Sequence, residues 1–297
     1  MSTSVATSQI TTEAPIPAKS ASVATSNDLA AVSRFRTRWG ADLAVHEGNP
    51  DFVLSLARGL RVIEAFDGRQ QGLSIADISR ATELSRAAVR RLLITLELLG
   101  YIESTGRKYR LRHRVLHLGM SYLSSDSLAT VSQPVVQKIT DELGESSSVC
   151  VLDGDEVWCV AGAVRRGLMS LDVATGSRLP VHCTAAGRVL LAALAEEQLA
   201  AHLERIELKA LTAKTIVSRE VLSRDVRRVR EQGFSVIDEE LEAGIRAIAV
   251  PIVSKDGHVA GSLGVGALAS RVSLDELSSR FLPELREQAR AIGQLVS

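Results

Sequence analysis

Ser74-Ile75-Ala76-Asp77-Ile78-Ser79-Arg80-Ala81-Thr82-Glu83-Leu84-Ser85-Arg86-Ala87-Ala88-Val89-Arg90-Arg91 is the stretch around which the rest of the chain falls into place. Ser74 caps a short helix, Ile75 to Ala81, and Asp77 three residues on supplies a capping-box-like acid. Thr82-Glu83-Leu84 makes a turn. Ser85 then caps a longer helix that continues to about Leu99 and stops at Gly100. Val89, Leu92, Leu93, Leu96 and Leu99 form its buried stripe, while Arg86, Ala87, Arg90 and Arg91 lie early and mostly outside it. A recognition helix has this form: its first turns enter the major groove, where guanidinium groups and small side chains meet base edges. The competing reading is an ordinary amphipathic helix with a solvated basic face. The short helix and turn immediately upstream favour the helix-turn-helix.

Outward from this core, Phe52 to Phe66 reads as a first helix with Leu56, Leu60, Ile63 and Phe66 as its buried stripe. Residues 67–72 interrupt it with two glycines. After Gly100 the period becomes alternating. Tyr101-Ile102-Glu103 and Lys108-Tyr109-Arg110-Leu111 flank Ser104-Thr105-Gly106-Arg107, a hairpin signal. Arg107, Lys108 and Arg110, with Arg112, are placed on this wing to meet phosphates, contacts that fix position without reading sequence. The alternative is a strand edge defended by charge.

The whole chain is neutral, with 35 basic and 35 acidic residues among 297, which excludes a uniformly basic, nucleic-acid-coating protein. Residues 51–114 carry twelve bases against seven acids, and residues 115–297 carry 19 against 24. A small basic module joined to a larger acidic one implies that the first alone meets a polyanion. Residues 1–50, rich in Ser, Thr and Ala, read as a disordered tail, with a short helix from Ala30 to Val45. Three cysteines, Cys150, Cys159 and Cys183, exclude a disulfide scaffold and form no C-x-x-C pair. No apolar run approaches the ~20 residues of a membrane helix, and no signal pattern opens the chain. The expectation is a cytoplasmic protein with no membrane partner, cofactor or metal.

Several blocks in combination resemble IclR-family transcriptional regulators, in the branch of PcaR, PcaU and PobR. They are Phe52-Val53-Leu54-Ser55-Leu56-Ala57-Arg58-Gly59-Leu60, Leu84 to Arg91, Gly176-Ser177-Arg178-Leu179-Pro180-Val181-His182-Cys183-Thr184-Ala185-Ala186-Gly187-Arg188, and Asp238-Glu239-Glu240-Leu241-Glu242-Ala243-Gly244-Ile245-Arg246-Ala247-Ile248-Ala249-Val250-Pro251. The resemblance spans about residues 52–297. It implies a regulator of aromatic-compound catabolism of the β-ketoadipate or protocatechuate type, answering to a small aromatic acid or pathway intermediate. The implied partners are an operator DNA and a second copy or more of the chain, as homodimer or homotetramer. Ser85, Arg86, Ala87, Arg90, Arg91, Arg107, Lys108 and Arg110 are the expected DNA contacts. The resemblance places Leu179, Thr184, Ala185, Ala186, Asp238, Ile245, Ala247, Gly264 and Gly266 at the effector. It departs from the pattern at Gly264 and Gly266, where family members usually carry Ser or Asn. Two side-chain donors are therefore missing.

The expected fold is α+β, a winged helix-turn-helix domain followed by a GAF-like effector-binding domain. The expected division is a tail over 1–50, the DNA-binding domain over 51–113, a linker helix over 114–130 and the effector domain over 131–297. Within the last, helices are expected over Pro134–Leu143, Ala185–Leu194, Glu196–Ile206, Ser218–Gln232 and from Ser273 to about Leu295, bent near Pro283. Strands are expected over Ser147–Leu152, Val157–Ala163, Met169–Val173, Phe234–Glu240, Ala247–Ser254 and His258–Ala267. The free N–H groups of the helix after Thr184 are suited to a carboxylate.

An enzyme needs more than the chain displays. His182 and Cys183 are adjacent, so an extended backbone points them apart. His113 and His117 are four apart without the glutamate of a zinc-protease motif. Asp238, Glu239, Glu240 and Glu242 have no His among them and read as a strand-end charge run. Arg165 and Arg166 read as a solvated loop pair. Cys150 and Cys159 read as small core residues on neighbouring strands. Two alternatives stay open: a ligand-binding enzyme with an accessory nucleic-acid-binding domain, favoured by turnover of a bound acid, and an architectural DNA binder, favoured by sequence-independent binding.

Overall fold

A computed structural model describes residues 49–66, 72–119, 127–165 and 173–296. The expected tail apart from its last two residues, residues 67–71 of the break after Phe66, residues 120–126 of the expected linker helix, Arg166 and nearly all of the expected Met169–Val173 strand lie outside these residues.

The basic segment forms α1 (Leu54–Glu64), α2 (Ile75–Thr82), α3 (Arg86–Leu98) and the hairpin β1 (Ile102–Thr105) and β2 (Lys108–Leu111). The local signals act as the sequence implies. Ser74 and Asp77 complete a reciprocal capping box, and that hydrogen bonding holds the Asp77 carboxyl below the usual carboxylate range. Ser85 Oγ accepts from Ala88 N at 3.2 Å. Between α2 and α3, Glu83 takes the left-handed conformation at φ +59°, and Ser79 Oγ donates to Leu84 O to close the turn. Leu73 pairs with Tyr109 in an isolated antiparallel bridge, which lays a third segment beside the wing. Gly72 is required there: a Cβ would lie 2.7 Å from Tyr109 O. Val62, Ile78, Val89, Leu93, Leu96 and Ile102 form the core of this unit.

The expected stripe of α1 is half right. Ile63 and Phe66 pack into the core, but Leu56 and Leu60 are exposed together with Val53, and Val62 is the fully buried residue. Leu99, expected in the buried stripe of α3, is also exposed. Apolar periodicity marks a face that avoids water; it does not say whether the chain itself covers that face.

The remainder is a six-stranded antiparallel sheet in the order β5-β4-β3-β8-β7-β6. Its strands are β3 (Ser146–Asp153), β4 (Glu156–Ala163), β5 (Arg178–Pro180), β6 (Ser235–Asp238), β7 (Ile245–Val253) and β8 (Val259–Leu268). Alternation divides each strand between two cores. On one face Val149, Ile248, Val250, Leu263 and Val265 meet α4 (Ser127–Leu143) and the terminal α8 (Leu282–Gly293). On the other, Cys150, Cys159, Ile237 and Ala249 meet α5 (Ala185–Ala192), α6 (Glu196–Arg205) and α7 (Arg219–Gln232). Cys150 and Cys159 are register partners and buried.

Two boundaries differ from expectation. Helix α4 begins at Ser127, runs through Pro134 and crosses the 130/131 division, because Leu128 and Ala129 are buried in the sheet's core. That packing outweighs the hydrogen bond lost at Pro134. The terminal helix starts at Leu274 behind the Ser273 cap, widens to a π turn over Leu277–Phe281 and continues as α8, so its irregularity precedes Pro283. At the expected linker, a 3₁₀ turn, His113–Val115, opens the helical stretch.

Candidate DNA and effector sites

On α3, Ser85, Arg86, Ala87, Arg90 and Arg91 all lie on the exposed face, opposite buried Val89, Leu93 and Leu96. Ser85 Oγ is committed as acceptor to the cap, which leaves its O–H to donate outward. On the wing, Lys108 and Arg110 are exposed and alternate with half-buried Tyr109 and Leu111, and Arg107 is exposed at the turn. None of these six cations makes a hydrogen bond or ion pair among the described residues, in contrast to Arg112, which sits 3.9 Å from Glu103. Exposed cations free of hydrogen bonds and ion pairs to the described residues are available to phosphates and base edges.

The effector candidates divide. Ala247, Gly264 and Gly266 share the sheet face that meets α5, since their neighbours Ile248, Leu263, Val265 and Ala267 point to the opposite core. Leu179 on β5 packs into the α5-side core, and Ile245 falls on the same face by alternation. Thr184, Ala185 and Ala186 form the start of α5. Thr184 Oγ1 donates to Pro180 O at 2.9 Å and accepts from Gly187 N at 3.1 Å. The first N–H groups of α5 thus open beside the sheet. Gly187 permits this: a Cβ there would lie 2.1 Å from Val181 O. Asp238 stands apart. Val236, two residues before it, packs on the other face, and its own carboxylate bonds Lys214 Nζ at 2.7 Å and Arg246 Nε at 2.5 Å. Those two bonds hold the carboxyl below its ordinary range, Lys214 contributing most.

The acidic run is not a solvated strand end throughout. Glu240 is buried and receives both Nη atoms of Arg188, the bond from Nη1 being 2.8 Å. Arg188, on α5, is only 1% exposed. Its Nε donates to His182 O at 3.1 Å, and Nη1 lies 2.9 Å from Asp225 Oδ2 on α7. Thr215 Oγ1 donates to Glu240 O at 2.7 Å. One guanidinium therefore ties the turn before α5, α5 itself, α7 and the turn after β6. Sequence reasoning missed this cluster, because Arg188 and Glu240 are 52 positions apart and each reads alone as a surface charge. Glu239 pairs with Lys214 and accepts from Gly244 N.

Among the described residues His182 and Cys183 make no hydrogen bond to each other. Burial pushes the Cys183 thiol up to about 12 and holds His182 below the usual imidazole range. His182 Nε2 meets Lys209 O at 3.1 Å. Among the described residues no group of His, Cys, Asp and Glu suits a metal ion, and no helix is long and apolar enough to cross a membrane.

Comparison with known proteins gives two family models. The IclR helix-turn-helix domain matches residues 55–106, and the model of the bacterial transcriptional regulator IclR C-terminal matches residues 120–294. The Pca regulon regulatory protein of Pseudomonas putida is 44% identical over 277 residues, 93% of each chain. A transcriptional regulator from Rhodococcus sp. RHA1 has 43% identity and a TM-score of 0.73, over 82% of this chain and 98% of its own. An IclR homologue from Microbacterium hydrocarbonoxydans, crystallised with 4-hydroxybenzoate, has 26% identity and a TM-score of 0.70, over 80% and 97%.

Proposed function

Because the chain belongs to the IclR family of bacterial transcriptional regulators, we propose that it controls genes of aromatic-compound catabolism, binding operator DNA through α3 and the wing and a small aromatic acid, or an intermediate of its breakdown, in the second module. The carrying observation is the set of six exposed cations on α3 and the wing that make no hydrogen bond or ion pair among the described residues, held by two capped helices and a paired hairpin. The named relative from Pseudomonas putida and the 4-hydroxybenzoate complex support the ligand class.

In this reading residues 1–50 form a tail, 51–113 the DNA-binding domain, 114–130 the linker and 131–297 the effector domain, with α4 crossing the last division. Ser85, Arg86, Ala87, Arg90 and Arg91 face the major groove, and Arg107, Lys108 and Arg110 the phosphates. The effector's carboxylate meets the N-terminal turn of α5 at Thr184, Ala185 and Ala186. Leu179, Ile245, Ala247, Gly264 and Gly266 form the apolar surround, with Asp238 at its margin through Lys214. The chain works in the cytoplasm as a homodimer or homotetramer, without catalysis, and the exposed Val53, before α1, with Leu56 and Leu60 on it, contributes to self-association. An effector acts only through its different affinity for two arrangements of the DNA-binding modules.

The test is substitution of Arg86, Arg90 and Arg91 singly by Ala, with binding to a duplex selected from random DNA. Loss of about 1–3 kcal/mol is expected where the side chain reads a base. Unchanged affinity in all three removes the recognition-helix assignment. Turnover of a bound acid would favour the enzyme alternative.

A further inference from the structure

The triplet Ser146-Ser147-Ser148 opens β3 in the middle of the sheet, and its hydroxyls have different fates. Ser147 points to the α4 side, where its Oγ donates to Val136 O at 2.7 Å and lies 2.8 Å from Thr140 Oγ1. Ser146 Oγ accepts from Arg165 N at 3.0 Å. Ser148, on the α5 side by alternation, meets only the Cys150 thiol, at 3.7 Å, among the described residues. A thiol at that distance is a weak partner.

The surroundings of Ser148 are unusually bare. Its register partners are Gly162 on β4 and Gly264 on β8, and beyond Gly264 comes Ala249. The next row is Ser146, Gly266 and Ala247. Ser148, Gly162, Gly266 and Ala247 are half-buried although they sit on central strands. Helix α5 packs across β3, β7 and β8 on this face, and the backbone of Val173–Thr175 passes over Gly162. A hydroxyl therefore rises from a floor of glycine and alanine toward the helix whose N-terminal turn is assigned the effector's carboxylate.

Gly264 cannot supply that hydroxyl. A Cβ there would stand 3.0 Å from Ile248 O and 3.2 Å from Ala249 Cβ, tighter than side chains normally pack. The polar group missing from β8 is instead present one strand over.

We propose that Ser148 hydrogen-bonds a ring hydroxyl of the effector and so selects hydroxylated aromatic acids over unsubstituted ones. This rests on the effector-site reading given above. A site built to bond a hydroxyl discriminates against the analogue that lacks it, because its own polar group is then left unpaired.

The experiment is calorimetric titration of the full chain with 4-hydroxybenzoate, 3-hydroxybenzoate and benzoate, using the wild type, Ser148→Ala and Ser148→Thr. The wild type should bind one hydroxybenzoate more tightly than benzoate. Ser148→Ala should weaken that hydroxybenzoate by about 3- to 10-fold, the value of one neutral hydrogen bond, and leave benzoate within about twofold. Ser148→Thr, which keeps the hydroxyl, should restore the preference. Equal loss on both ligands, or no loss on either, overturns the assignment of Ser148 and leaves the effector site standing. Binding of none of the three acids by the wild type overturns the aromatic-acid reading and this inference with it.

Discussion

Replacing Arg188 by Met removes one positive charge from a place that water does not reach. The side chains of Arg188, Asp225 and Glu240 are 2%, 9% and 10% exposed, so solvent does little to screen what is left behind. Breaking a buried ion pair from one side typically costs about 3–5 kcal/mol. The same loss is expected here, and urea unfolding of both chains, followed by the effector module's transition, measures it. The double variant Arg188→Met/Glu240→Leu should recover a large part of the loss, since an apolar replacement of both partners strands no Glu240 charge. A deficit below about 1 kcal/mol would refute the role of Arg188 as a clamp between α5, α7 and the turn after β6.

Gly187→Ala drives a methyl toward Val181 O, 2.1 Å from its ideal position, and toward Thr184 Oγ1 at 2.7 Å. It should displace the start of α5, lower stability by roughly 2–3 kcal/mol and abolish acid binding; an unaltered melting temperature contradicts the packing. Burial holds His182 and His202 below the usual imidazole range. The stability their neutral forms contribute is therefore present above pH ~6.5 and lost as pH falls through it, and His182→Asn should flatten the decline of melting temperature on that side. Lys108→Ala and Arg110→Ala should each weaken DNA binding equally on specific and random duplexes and reduce the salt slope by about one, which anisotropy at several salt concentrations reports.

The helix-turn-helix was legible because its signals are local. Ser74, Asp77, Ser85 and Gly100 act within three or four residues of themselves, and the wing announces itself by a change of period. Five of the six strands of the sheet were legible for the same reason, within one or two residues at their ends, whereas the three-residue β5 is too short to show an alternation. What escaped was decided by distant partners. Leu56 and Leu60 repeat at helical spacing, but nothing in the period tells that the described chain leaves them uncovered. Helix α4 reaches back to Ser127 because Leu128 and Ala129 find the sheet. Arg188 becomes a buried clamp only when β6 brings Glu240 to it, and Ser148 differs from its two neighbours only through the strand register. The ion pairs of Asp238 with Lys214 and Arg246 likewise join positions that no local pattern links.

The most direct test of a DNA-binding regulator governed by a small acid is fluorescence anisotropy of the full chain on DNA from its own gene neighbourhood, at fixed salt, with and without 4-hydroxybenzoate and a panel of related aromatic and keto-acids. Salt must be held constant because phosphate contacts make affinity steeply salt-dependent. Binding well above that to random DNA, altered by at least one acid and weakened in Arg90→Ala, is expected. Binding no tighter than to random DNA would contradict it.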